Sequence, residues 1–192
     1  WVTMMADRGV ATEGGKYMGT GNGGRGEDWV VGGRAMKFRR RKLAAGAGIV
    51  IAGEKTSLVL SSGYRVCWEK FCVYWDIEMR LVPMVKDHMS INMDTVLDYV
   101  DDYTISVVGI LGITYTGEYD DVKALDAKLA EYSKTAKVSV PIHVDGASGG
   151  LYAPFAEPDL DVDYPMENDV SINAYCHEDS IVYPGSGGVL WK

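Results

Sequence analysis

The feature that most constrains this chain is the alternation of short apolar runs with segments of helical period from Ser57 onward. Ser57-Leu-Val-Leu60 is a compact apolar run, and Val66, Cys67, Phe71, Tyr74 and Trp75 then recur at helical spacing. Glu78 to Val82 reads as a strand and Asp94 to Val100 as a helix with Val96, Leu97 and Val100 inward. The run 105–111, ISVVGIL, is apolar at every alternating position, as a strand covered on both faces requires. Val122, Leu125, Leu129 and Tyr132 mark a further helix, 141–145 (PIHVD) and 170–174 (VSINA) two more strands, and the closing GVLWK another. Repeated βα alternation with short connections predicts an α/β protein: a mostly parallel sheet layered between helices, α/β/α.

The 192 residues suit one domain or a large piece of a bigger one, and a 47% hydrophobic share is enough to bury a core. With 19 basic against 27 acidic side chains the net charge is −8, which argues against nucleic acid or an anionic membrane as partner. No apolar stretch approaches a membrane span, and WVTMMADRG lacks the order of a signal peptide, so the expectation is a soluble, cytoplasmic chain. Cys67, Cys72 and Cys176 form no C-x-x-C unit and read as free thiols of a reducing compartment.

Ahead of the alternating region, residues 11–26 are glycine-rich and predict a loop. A helix follows from Glu27, with Val30, Val31 and Met36 as its apolar positions and Arg39-Arg40-Arg41-Lys42 as a solvated basic end. Gly21 to Gly26 formally satisfies G-x-G-x-x-G, but KYMGT is a poor incoming strand and position 46 is glycine where a dinucleotide site needs an acid. What remains is a helix start whose amides suit a phosphate.

The segment 143–150, HVDGASGG, carries more chemistry. Asp145 stands where an apolar strand ends, followed by small residues that admit a flat ligand, and open α/β sheets bind ligands at the carboxyl ends of their strands. The plainer reading is a turn-capping aspartate. His143 alternates onto the same face, and His177, Glu178 and Asp179 follow the next apolar strand, so a metal set of His143, Asp145, His177 and Glu178 is satisfied by count.

Taken together, 66–84 (VCWEKFCVYWDIEMRLVPM), 112–122 (GITYTGEYDDV), 142–155 (IHVDGASGGLYAPF), 170–173 (VSIN) and the closing GGVLW resemble, in order, the pyridoxal-phosphate-dependent glutamate decarboxylases of bacteria and plants. Residues 31–42 are similar to that family's helix after the phosphate loop. The resemblance implies an aminotransferase-like (PLP fold type I) large domain, with residues 1–192 a partial domain lacking the family's amino-terminal segment and carboxyl-terminal small domain. It implies pyridoxal phosphate as cofactor and an amino acid substrate, glutamate losing its α-carboxylate to give 4-aminobutanoate and CO2, in a homo-oligomer.

By the same resemblance Asp145 faces the pyridine nitrogen, Ala147 packs on the ring, Thr114 brings a hydroxyl near it, and His177 precedes the cofactor-bearing lysine. Four positions depart from the pattern. The lysine position holds Glu178, the two phosphate-contacting serines are Arg25 and Gly26, and the glutamine over the ring is Arg65. A glutamate offers no amine, so no covalent link to the cofactor forms there. Two other readings stand beside the lyase: a noncatalytic, dimerising relative that has lost the cofactor, and a metal-dependent hydrolase built on the His143, Asp145, His177 and Glu178 set.

Overall fold

The computed structural model describes residues 18–22, 25–51, 55–87, 89–157, 160, 168–179, 183 and 185–191. Seven strands make one sheet: β1 (Met18–Asn22), β2 (Ser57–Ser61), β3 (Glu78–Val82), β4 (Thr104–Ile110), β5 (Ile142–Gly146), β6 (Asp169–Tyr175) and β7 (Gly187–Trp191), in the order β1-β7-β6-β5-β4-β2-β3. The pairs from β3 across β2, β4 and β5 to β6 are parallel. β7 runs antiparallel to β6 and to β1. Every residue of β2, β4 and β5 is buried, as continuous apolar runs covered on both faces require.

Two layers cover the sheet. On one side lie α1 (Arg25–Gly46) and α2 (Val66–Trp75), sharing a core with Leu58, Leu60, Ile105, Val108 and Ile110. On the other, α3 (Val122–Ser133) and a 3₁₀ turn (Val96–Tyr99) pack on Val59, Val107 and Val144. Short helical turns at Ala153–Ala156 (α4) and Cys176–Asp179 (α5) follow β5 and β6. The expected α/β/α arrangement is present, and the strands expected at 57–60, 78–82, 105–111, 141–145 and 170–174 all form.

Local chemistry sets the boundaries. Asp121 caps α3, its carboxylate accepting from the Ala124 amide at 2.8 Å. Asp76 closes α2 in the left-handed region at φ 50°, its amide donating to the Cys72 carbonyl. The helix expected over 94–100 is shorter, only one 3₁₀ turn, which ends where Val100 is extended and its amide donates to the Leu97 carbonyl.

Three expectations are corrected. The glycine-rich segment includes a strand, β1, whose backbone is stabilised by pairing with β7; no side-chain pattern announces it. It is an antiparallel edge strand and not the leading strand of a dinucleotide fold, and Gly23 and Gly24 lie outside the described residues. α1 starts at Arg25 and continues to Gly46, so the basic run is mid-helix. Its inward stripe is Trp29, Gly33, Met36, Arg40 and Ala44, with Val30 and Val31 only half-buried.

Arg40 in particular is no solvated end: it is 1% exposed, with Nε and Nη2 donating to the Asp102 carbonyl at 3.1 and 2.5 Å and Nη1 to Ser139 O at 3.1 Å. It ties α1 to the segments that lead into β4 and β5. Burial lowers its pKa, against the opposing charges of Asp102, Tyr132 and Asp101. α1 reaches α2 closely because position 33 is glycine; a Cβ there would stand 2.2 Å from Phe71 Cζ.

Candidate active site at the carboxyl ends of the strands

Asp145 is the fourth residue of β5, level with Ile110 of β4 and Asn173 of β6. It lies on the α1/α2 side of the sheet, 1% exposed, and its carboxylate takes three donors. Trp68 Nε1 of α2 donates to Oδ2 at 2.7 Å; the Ala147 amide and Asn173 Nδ2 donate to Oδ1 at 3.1 and 3.2 Å. Two oxygens with two lone pairs each leave Oδ2 one acceptor position beyond the indole.

The amide of Asn173 is oriented from behind. His143, fully buried, makes 2.8 Å contact between Nε2 and Asn173 Oδ1 and 2.7 Å between Nδ1 and Ser171 Oγ. Since Asn173 spends its nitrogen on Asp145, its oxygen accepts, which puts the imidazole proton on Nε2 and makes Nδ1 the acceptor from Ser171. Burial lowers the His143 pKa, outweighing Asp145 and the Asn173 bond, so the ring stays neutral. With both nitrogens occupied, His143 has none to give a metal, which removes the four-residue metal set. Among the described residues no group of three His, Cys, Asp or Glu is placed to hold one.

Aromatic rings roof the carboxylate. Trp68 packs edge-on to His143 at 5.3 Å, and Trp29 lies 6.3 Å from Trp68 and 5.5 Å, edge-on, from Tyr175. Outside this roof is a cavity of about 460 Å3 lined by Trp29, Arg65, Cys67, Lys70 and Tyr115 among others. Burial pushes the Cys67 thiol up, Asp145 adds to the shift and Arg65 opposes it, so the thiol stays protonated. Arg65 Nη1 donates to Thr114 Oγ1 at 2.8 Å, joining the residue before α2 to the loop after β4. That loop turns at Gly112, φ 86°, where a Cβ would stand 3.2 Å from both Gly149 N and Ser148 Cβ, so the loops after β4 and β5 meet.

The structure thus brings Asp145 to Ala147 and Arg65 to Thr114. His177, half-buried in α5, lies against Tyr175 with ring centroids 5.6 Å apart. The side chains of Arg25 and Glu178, and the surroundings of Gly26, lie outside the described residues. Sequence reasoning missed Trp68, Asn173 and Ser171. The signal for the last two was a pair of polar residues at alternating positions of a buried strand; Trp68 carried none, since a tryptophan on a helix's inward face reads as core.

An open α/β sheet with a buried, donor-ringed carboxylate at the end of a central strand is the framework of aminotransferase-like enzymes, and the comparisons with known proteins narrow the class. Residues 2–192 match the pyridoxal-dependent decarboxylase conserved domain, and the chain belongs to that family. It is 59% identical over 191 residues to the glutamate decarboxylase of Lactococcus lactis subsp. lactis (strain IL1403), spanning 100% of this chain and 41% of that protein.

The solved Lactobacillus brevis CGMCC 1306 glutamate decarboxylase superposes with a TM-score of 0.92 at 53% identity, over 99% of this chain and 43% of that one. An Oryza sativa TDC structure with PLP and tryptamine, at 17% identity and TM-score 0.80, shares the fold over 100% of this chain and 40% of its own. The chain therefore spans about two fifths of the length of these relatives. No helix among the described residues is long and apolar enough to cross a membrane.

The donor set fits a pyridine ring in part. The free acceptor position on Asp145 Oδ2 and the small Ala147 beside it are of the right chemistry for a protonated ring nitrogen and a flat ring face, and the Arg65–Thr114 pair adds a cation and a hydroxyl to that end of the sheet. At position 178, where the family resemblance expects the cofactor-bearing lysine, the sequence has glutamate, which offers no amine.

Proposed function

We propose that this chain is the cofactor-holding part of a pyridoxal-phosphate-dependent carboxy-lyase of the glutamate decarboxylase type. The observation that carries the reading is Asp145: a buried carboxylate at a strand's carboxyl end, ringed by donors, in a chain 59% identical to a glutamate decarboxylase. Pyridoxal phosphate supplies, when bound, a sink for the electron pair that a departing α-carboxylate leaves behind.

This chain's residues do the positioning. Asp145 would hold a proton at the ring nitrogen through the remaining acceptor position on Oδ2, while Asn173, oriented by His143, and the Ala147 amide fix the carboxylate through Oδ1. By the family resemblance Ala147 would pack on the ring, Arg65 and Thr114 would contribute a guanidinium and a hydroxyl beside it, and Arg25 and Gly26 at the start of α1 would lie at the phosphate end. His177 precedes position 178, where Glu178 replaces the anchoring amine. A cytoplasmic, homo-oligomeric setting and an acidic amino acid substrate complete the proposal, supported by free Cys67, Cys72 and Cys176 and by exposed Phe38, Tyr74 and Phe155.

The test compares the chain with Glu178→Lys. Pyridoxal 5′-phosphate titration, borohydride reduction with peptide mapping, and CO2 release from glutamate are measured on both. Reversible binding without covalent trapping or turnover is expected for Glu178, and trapping at position 178 for the lysine variant. Absence of binding in both proteins would remove the cofactor and leave the noncatalytic relative. Trapping at some other lysine of the unmutated chain, with turnover, would show that the site residues are misplaced.

A further inference from the structure

The two oxygens of Asp145 are held unequally. Oδ1 takes two longer bonds, 3.1 Å from the Ala147 amide and 3.2 Å from Asn173 Nδ2, and Oδ2 takes a single short one, 2.7 Å from Trp68 Nε1. Among the described residues Trp68 is the one donor on Oδ2. That is also the oxygen with an acceptor position left open, so the indole and a ligand at Asp145 meet on the same atom.

The indole is clamped in place. Trp68 is fully buried on the inward face of α2, with Phe71 edge-on at 6.0 Å, His143 edge-on at 5.3 Å and Trp29 tilted at 6.3 Å. Two adjacent glycines of α1 admit this packing: a Cβ at Gly33 would stand 2.2 Å from Phe71 Cζ, and one at Gly32 would stand 3.3 Å from His143 Cε1. The Trp68 amide donates to the Arg65 carbonyl at 3.0 Å, so the first turn of α2 is registered on Asp145 through the same residue.

The geometry points to Trp68 as a positioning residue that acts through Asp145: its N–H stabilises the charge on Oδ2, so that a proton shared between Oδ2 and a ring nitrogen stays on the ring. The role rests on the reading that pyridoxal phosphate binds at Asp145. A hydrogen bond donated to a carboxylate favours its charged form, and in a site walled by aromatic rings the effect is larger than in water. The indole therefore tips the shared proton toward nitrogen, and a protonated ring is the stronger electron sink. Ala147 and Asn173 act on the other oxygen through longer bonds. Phenylalanine at position 68 keeps a buried ring and removes the donor, which leaves the ring nitrogen as the partner of Oδ2 and moves the proton to the carboxylate.

Nuclear magnetic resonance of the full chain with pyridoxal 5′-phosphate labelled with nitrogen-15 in the ring tests this. The ring resonance is expected at its protonated position in the unmutated chain and displaced toward the unprotonated position in Trp68→Phe. Met36→Ala truncates the same core cluster without touching Asp145, and should lower the melting temperature while leaving the ring resonance in place. A resonance unmoved by Trp68→Phe, or moved equally by Met36→Ala, would overturn the assignment. In the unmutated chain the Trp68 indole N–H resonance should shift on adding pyridoxal 5′-phosphate and stay fixed with the analogue that has CH in place of the ring nitrogen. An indole signal that answers both ligands alike refutes the role even if Trp68→Phe does not fold. Failure of the unmutated chain to bind pyridoxal 5′-phosphate removes the cofactor reading and this role with it, whereas binding with an unmoved ring resonance removes the role of Trp68 alone.

Discussion

Replacing Asp145 by asparagine removes a charge while keeping shape, and the structure says what each donor then meets. Asparagine has one acceptor oxygen and a nitrogen with two protons. With the oxygen at the Oδ1 position it keeps the Ala147 amide at 3.1 Å and Asn173 Nδ2 at 3.2 Å, and its own amino group then faces Trp68 Nε1–H across 2.7 Å. Asn173 cannot rotate to relieve this, because its oxygen is held by His143.

The variant loses a charge-assisted bond of about 1.5–3 kcal/mol and leaves a buried indole N–H unpaired at about 1–3 kcal/mol. Removal of a buried charge returns part of that, so a net loss of about 2 kcal/mol is expected. Urea unfolding should show a lower midpoint at unchanged m. Pyridoxal 5′-phosphate affinity should fall about tenfold or more, since a neutral amide does not pair with a protonated ring nitrogen. Equal stability together with equal affinity would refute both the hydrogen-bond assignment and the placement of Asp145 in the site.

Arg40→Met should cost about 2–4 kcal/mol by leaving the carbonyls of Asp102 and Ser139 unpaired, and Arg40→Lys should recover only part, because one ammonium does not bridge both; matched urea midpoints would contradict this. Gly33→Ala should lower the melting temperature, the new Cβ pressing on buried Phe71 for a net cost of about 1–2 kcal/mol after the gain in helix propensity. Asp120, buried where it accepts from the amides of Ile91 and Ile110, has its pKa pushed up to about 6, first by burial and further by Asp145, the two amides opposing. A folded-state value above the unfolded one means that the native state holds the proton more tightly. The contribution is full below about pH 4 and is lost as pH rises through about 6, a change on the order of 3 kcal/mol. The difference in stability between the chain and Asp120→Asn should follow that window, and a pH-independent difference would refute the shift.

Much of the framework is written locally. The strands at 57–61, 104–110 and 142–146 are runs buried on both faces, and α3 places Val122, Leu125 and Leu129 at helical spacing, so short windows suffice to find them; α2 was legible as a helix, but its buried face is Trp68, Phe71 and Cys72, with Val66 and Tyr74 of the expected stripe exposed. Asp145 was legible for the same reason: a carboxylate closing an apolar run, followed by small residues, has few uses inside a parallel sheet. β1 and the inward stripe of α1 were not legible. β1 is held by backbone pairing with β7, which lies at the other end of the chain, and the stripe of α1 interrupts Trp29 and Met36 with a glycine, an arginine and an alanine. The basic run looked like a solvated helix end because a guanidinium's burial depends on carbonyls 62 and 99 residues away. Likewise Trp68 meets Asp145 across 77 residues, and Asn173 meets it across 28. A side chain's period along its own element reports which face it occupies. What donor or acceptor waits on that face is decided by chain folded from elsewhere, so the sequence located the carboxylate and only the tertiary structure supplied the indole, amide and imidazole that orient it.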